Sequence, residues 1–309
     1  MVGRARSSYR SLIVRKKVQS ILILCTVFLV CAFLTILSIL FLINGYGKDS
    51  SLATKAWNAG DYQTSFSFAI KNLEKHPLSS FWLMMSGMSS FQLSGAQINE
   101  QDMIKYIDLS IAYLRKALMV GSGSSNARAK YLLGKAYFRK GPQYADSAVD
   151  FLEQALAESY TAVDLYEHLG LAYASLKDYN RSVVAFTQAL GSEPSDLLLL
   201  AIAKSYFELG EYSKARAYLI RCTEVSTDST VFVQACLLLG VSLKKEGDAL
   251  GAEREYLAAL QMDDNSVEVH NALGELYADS GDTVKARAEW RKALRIDPTN
   301  EISRSRLGL

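Results

Sequence analysis

From about residue 46 onward, apolar side chains recur at spacings of three and four in runs of about a dozen residues, separated by short polar stretches with glycine or proline. The clearest unit is 267–300. Its first run carries Leu273, Gly274 and Tyr277, its second carries Ala286, Trp290, Ala293 and Leu294, and Gly281-Asp282 lies between them. Such spacings place each set on one face of a helix. Pro298, with no amide donor, stops the second helix. The pattern predicts a pair of helices. A different pattern precedes it: residues 21–43 read ILILCTVFLVCAFLTILSILFLI without one charge, and 17 of these 23 are Leu, Ile, Val or Phe. At about 1.5 Å per residue, a helix over this run spans a hydrocarbon core with some tilt.

Residue sizes add to the periodicity. Small residues (Gly274, Ala286, Ala293) alternate with large ones (Leu273, Tyr277, Trp290). Antiparallel helices approach closely only where small side chains leave room for large ones opposite. The same marks recur upstream. Leu133-Gly134 and Tyr137 precede Ala148, Leu152 and Ala155-Leu156; Leu169-Gly170 and Tyr173 precede Phe186, Ala189-Leu190 and Pro194. Ala203, Tyr206 and Gly210 precede Ala215 and Leu219; Leu239-Gly240 and Gly247 precede Ala252, Tyr256 and Ala259-Leu260. The marker position falls at 133, 169, 202, 239 and 273, giving steps of 36, 33, 37 and 34. The deviations sit in turns, where a register change moves no core face.

This arrangement resembles the tetratricopeptide repeat family, on whose signature positions Leu273-Gly274, Tyr277, Gly281, Ala286, Trp290, Ala293 and Pro298 fall. The resemblance implies an all-α fold: an α-solenoid of stacked antiparallel helix pairs, a tetratricopeptide superhelix, here preceded by a single transmembrane helix. Five repeats are expected over 127–300. Two degenerate ones are expected over 46–119, the first with a turn at Gly60-Asp61-Tyr62 and an end at Pro77, the second with Trp82, Met85, Gly87 and Phe91 on its first helix. A polar insertion is expected at 95–101, and 121–125 read as a flexible joint where the array bends. Residues 301–309 read as a partial capping helix, since Leu307-Gly308 stand 34 residues after Leu273-Gly274.

Composition and charge narrow the function. Half the residues are hydrophobic, so a large core is available, and only four prolines argue against extended disorder. The net charge of +2 hides an asymmetry: Arg4, Arg6, Arg10, Arg15, Lys16 and Lys17 precede the apolar run, leaving 34 − 6 = 28 bases against 32 acids elsewhere. That body is not the basic surface that nucleic acid selects. Residues 1–20 therefore read as a basic cytoplasmic segment and 21–43 as a membrane helix, with the repeat domain outside, periplasmic in a bacterium. A cleaved signal peptide has a shorter apolar core, and a lipoprotein needs a small residue before its cysteine, where Leu24 and Val30 stand here.

Candidate chemistry is sparse. His76, His168 and His270 fall in different repeats, and no phosphate loop, nucleophile motif or metal-ligand spacing is present. Asp263-Asp264-Asn265 reads as a helix-terminating turn. Cys222 and Cys236 sit at small core positions, as buried thiols or as a disulfide in an oxidising compartment. No enzyme, cofactor or small-molecule substrate is read from the chain. The family resemblance implies that the first helices line a concave surface. Some members grip a carboxylate there with Lys and Asn at set positions, a clamp that Tyr131, Lys135, Glu167, Leu171, Leu200, Leu237, Val241 and Asn271 do not reproduce as a set. The candidate partner-binding groove comprises Tyr131, Lys135, Leu171, Leu197, Leu200, Lys204, Leu237, Leu238, Val241 and Asn271. It is apolar in mid-array and suited to a helix or extended segment of a protein partner. A membrane-anchored scaffold or adaptor is the reading, with a periplasmic assembly chaperone for exported clients as the alternative.

Overall fold

The computed structural model describes residues 47–191 and 193–309. The basic segment 1–20 and the apolar run 21–43 lie outside the described residues. Among those described there are fifteen helices and no strand. They pair as α1 (47–58) with α2 (Tyr62–Leu73), α3 (Ser80–Gly95) with α4 (Glu100–Val120), and α5 (Ser124–Lys140) with α6 (Ala145–Ala157). The series continues with α7 (Leu165–Ser175) and α8 (Tyr179–Ala189), α9 (Asp196–Glu208) and α10 (Tyr212–Val225), and α11 (Ser229–Lys245) and α12 (Ala249–Met262). The seventh pair is α13 (Val267–Asp279) and α14 (Thr283–Ile296), against which α15 (Glu301–Leu307) lies. No described helix is long and apolar enough to cross a membrane.

Within a pair, a glycine on the first helix faces a bulky side chain of the second. A Cβ added to Gly134 would stand 2.5 Å from Leu152, on Gly170 2.5 Å from Phe186, on Gly240 2.4 Å from Tyr256, and on Gly274 2.3 Å from Trp290. Gly87 meets Leu114 in the same way at 2.6 Å. No carbon can occupy those positions without displacing a ring or a branched chain, so the pairs close to the separation that only glycine allows.

The turn inside a pair repeats a second device. A residue in the left-handed region ends the first helix, and an aspartate then caps the second. Gly60, Gly247 and Gly281 take φ of 78°, 88° and 81°, and Lys177 takes the same place at 60°. Asp61, Asp178, Asp248 and Asp282 follow, their carboxylates accepting from the backbone N–H of Thr64, Arg181, Gly251 and Lys285. Lys177 carries the backbone strain that the three glycines avoid.

Two expectations change on contact with the structure. The polar insertion at 95–101 is only partly a loop, since α3 runs to Gly95 and Asn99 caps α4 at Glu100, which leaves 96–99 as the connection. The stretch 121–125 is a tight turn that ends α4 and begins α5 at Ser124. Between α5 and α6 the chain forms a short 3-10 turn, Pro142–Tyr144.

One core group joins α3 to α8 and another joins α9 to α13, with Phe186, Leu198 and Ile202 packed between them. Buried serines bond across neighbouring pairs: Ser89 to Ser65 at 3.2 Å, and Ser182 with Ser205 at 3.0 Å. Near the C-terminus, buried His270 on α13 joins Glu289 of α14 (2.7 Å) to the carbonyl of Asp264 (3.1 Å), which fixes the turn before α13.

Gly274→Ala is expected to lower stability by about 1–2 kcal/mol although alanine is the better helix former, because the ring of Trp290 must move. Urea unfolding checks this, and adding Trp290→Leu to Gly274→Ala should recover part of the loss.

Candidate functional site

Successive first helices touch one another (α5 with α7, α7 with α9, α9 with α11, α11 with α13), which places them on the inner side of the curve. Side chains three and four apart on each therefore line one continuous inner face. Two clefts open on it. The N-terminal cleft, about 490 Å³, lies between α1, α3 and α5 and is lined by Trp57, Phe81, Met84, Met88, Ser125 and Arg128. The C-terminal cleft, about 520 Å³, lies between α11 and the start of α13 and includes Val233, Gln234, Leu237, Met262, Ser266 and Glu268.

Polar rungs cross the face between the clefts. Lys135 on α5 reaches Asp164, at the start of α7, at 2.5 Å and the Tyr131 hydroxyl at 3.1 Å. Tyr131 donates to the same carboxylate. The His168 ring lies 3.6 Å from it. Burial pushes the Asp164 carboxyl up, but the bonds from Lys135 and Tyr131 and the charge of Lys135 outweigh this and hold it below the usual carboxylate range. The Tyr131 hydroxyl is pushed far up by burial and by its bond to Asp164. Further along, Lys204 on α9 donates to Gln234 on α11 at 2.9 Å, and Lys244 on α11 pairs with Asp279 of α13 at 2.6 Å. Arg306 on α15 forks onto Glu275 of α13 at 2.6 and 2.8 Å.

The ten residues singled out in the sequence divide accordingly. Tyr131, Lys135 and Lys204 are rungs between repeats. Asn271 is held by the last helix: its amide donates to Asn300 at 3.1 Å and its carbonyl accepts from Ser303 at 2.5 Å. Leu171 is half-buried against Phe186, Leu198 and Ile202. Leu237, Leu238 and Val241 are half-buried against the α9–α13 core, and Leu237 also lines the C-terminal cleft. Leu197 is 61% exposed, whereas Leu200, three residues on, is 4% exposed. Cys222 and Cys236 are free, buried thiols, pushed by burial to about 11 and about 12.

The N-terminal cleft was missed. Its residues Phe81, Met84 and Met88 stand in α3 at the offsets from Gly87 that Leu197, Leu200 and Lys204 have from Ala203. Alignment on that small residue would have found them. The unbranched thioethers of Met84 and Met88 adapt to irregular apolar partners.

Comparison with known proteins agrees with this architecture. The tetratricopeptide repeat family matches residues 163–196 and 198–229, and again 267–300. Over 139 residues, 43% of this chain, the sequence is 29% identical to the anaphase-promoting complex subunit CDC16 of Saccharomyces cerevisiae, and it spans 16% of that protein. Among solved structures, the C-terminal part of a tetratricopeptide-repeat protein from Cytophaga hutchinsonii superposes with a TM-score of 0.63 at 16% identity, over 84% of this chain and 100% of that one. YrrB, described as a tetratricopeptide protein with an unusual peptide-binding site, superposes at 0.51 with 21% identity, over 63% of this chain and 98% of its own. These structural likenesses show the fold: the chain carries tetratricopeptide repeats stacked into an α-solenoid.

Leu200→Asp is expected to cost about 3 kcal/mol or more by burying an unpaired charge, and Leu197→Asp less than about 0.5 kcal/mol, both read as urea-unfolding midpoints. Asp164→Asn tests the central rung. A carboxyl depressed in the folded state adds stability that is present above its unfolded value, near 3.9, and lost as pH falls through the folded one. The variant should therefore be less stable than the parent at neutral pH, with the gap closing below about pH 4.

Proposed function

We propose that the chain is a protein–protein interaction scaffold, held at a membrane by residues 21–43, that presents its inner face to a segment of a partner protein. One observation carries this reading. The stacked pairs use the described chain as structure, and what they leave is an inner face with two open clefts, the more apolar of them lined by Trp57, Phe81, Met84 and Met88. The rungs hold that face rigid, so binding needs little ordering of the array. Assembly is also what the names of similar proteins describe: a subunit of the anaphase-promoting complex, and the Cut9–Hcn1 hetero-tetramer, which superposes at 0.52 with 13% identity over 84% of this chain and 51% of that one.

The membrane part rests on composition. Residues 21–43 are uncharged and six cations precede them, which favours a cytoplasmic N-terminus and repeats on the opposite side. A tethered array is confined to a thin layer, which raises its effective concentration towards other membrane proteins. In a bacterium that layer is periplasmic. A chaperone for exported clients uses the same groove differently, with brief occupancy by many unfolded chains.

Crosslinking in intact cells, with the full chain as bait, distinguishes these readings. A scaffold yields a few partners in fixed ratio, lost in Phe81→Asp, whose side chain is partly exposed so that the fold survives. Many substoichiometric, unrelated partners would replace the scaffold by the chaperone, and an unchanged partner set in the variant would remove the N-terminal cleft from the reading.

A further inference from the structure

Antiparallel pairing gives the array two edges. Every first helix begins, and every second helix ends, on one of them. The chain enters α1 on this edge: Asn72, near the end of α2, donates to Asp49 in the first turn of α1 at 3.2 Å. The end of α4 lies on it too, since a Cβ on Gly121 would stand 3.3 Å from the hydroxyl of Ser80, the first residue of α3. Residue 47 follows the uncharged run 21–43 after only residues 44–46. Whatever holds that run also sits close to this edge.

The edge has the composition of a surface that meets lipid. Leu78, in the turn between α2 and α3, is 74% exposed; Met119, at the end of α4, is 84% exposed with Val120 beside it. Lys71, Lys75 and Lys116 stand exposed around them, against the acids Asp49 and Glu74. The opposite edge of the same repeats carries Asp61, Glu100 and Asp102 against Lys55, with the apolar Ile98 among them. Further along the first edge acids predominate: Asp196, Asp228, Asp263 and Asp264 outnumber Arg221 and Arg295. Apolar side chains among lysines partition into the interface of an anionic bilayer, and clustered carboxylates do not.

We infer that the edge formed by the α2–α3 turn and the end of α4 rests on an anionic bilayer. Leu78, Met119 and Val120 enter the headgroup boundary, and Lys71, Lys75 and Lys116 contact lipid phosphates. The acidic C-terminal half of the same edge points away from the surface. This rests on the reading of 21–43 as an anchor and extends it: the array is laid down by its first two repeats, and it does not swing freely on residues 44–46.

The test uses the full chain with its native cysteines replaced by alanine. Leu78→Cys, Met119→Cys and, on the opposite edge, Ile98→Cys are each labelled with a polarity-sensitive fluorophore. The proteins are reconstituted into vesicles of phosphatidylcholine with a minority of phosphatidylglycerol. The expected result is blue-shifted emission at 78 and 119, quenched by a nitroxide carried on lipid, and quenching at 98 by aqueous iodide. Lys71→Glu, Lys75→Glu and Lys116→Glu together should return 78 and 119 to the behaviour of 98, each cation near an anionic leaflet contributing a factor of about five. Equal iodide access at all three positions, in protein that stays with the vesicles through alkaline carbonate, would overturn the inference while leaving the anchor standing. Release of the protein by carbonate would remove the anchor reading and this inference with it.

Discussion

The architecture depends on how closely two helices of one pair can approach. At five pairs a glycine of the first helix lies under a leucine or an aromatic ring of the second, at distances that exclude a Cβ. In the α9–α10 pair Ala203 and Leu219, both fully buried, take the corresponding places. Close approach makes each pair a stiff unit, and it leaves that unit with an apolar face that no pair can bury alone. Stacking therefore follows from pairing: the core groups run through several pairs without a break, and α15 lies over part of the last face. Serine–serine bonds between adjacent second and first helices add direction to contacts that apolar packing alone would leave free to slide.

The pairs were legible because their marks are local. A glycine opposite a ring, a glycine–aspartate turn and a terminating proline each act within about a dozen residues, where spacing and physical neighbourhood coincide. The turn before α8 shows how far this goes. Lys177 replaces the glycine, yet Asp178 still caps, and the helix still begins at Tyr179. The inner face was less legible because its residues are defined by partners about thirty residues away. Spacing puts Lys135, Lys204 and Asn271 on that face but does not say that Asp164, Gln234 and Asn300 meet them there. Leu197 and Leu200 illustrate the same limit. Both belong to one stripe of α9, but a helical side chain leans towards its own N-terminus, so Leu200 lies over the interior of the stack and Leu197 projects beyond it. The N-terminal cleft escaped notice for a simpler reason: its helix has Ser86 where most other repeats have leucine, and of its methionines only Met85 was placed in the helix pattern.

The rungs change what the groove can recognise. Four cations, on α5, α9, α11 and α15, are already committed to acceptors on or at the start of a neighbouring first helix, so the face presents few unpaired charges to a carboxylate ligand. The open surface that remains lies in the clefts at either end. The N-terminal one is lined by aromatic rings and thioethers beside Arg128, and the C-terminal one is more polar, with Gln234, Ser266 and Glu268. Two clefts of different character on one rigid face favour an extended or helical partner that engages both over a single small ligand.

The proposed seating on a bilayer links the two ends of the molecule. An array attached at a single point samples all tilts, and its inner face is shielded by the bilayer in many of them. Seating the basic, apolar end of one edge removes most of those tilts, and the run of aspartates from Asp196 to Asp264 along the same edge opposes the rest. The C-terminal cleft is then lifted from the surface while the N-terminal cleft, lined by Phe81 and Ser125 at the starts of α3 and α5, stays nearer to it. On the proposed seating, a partner that spans both clefts approaches from the membrane, and the charge gradient along the edge then helps to decide which proteins reach the groove.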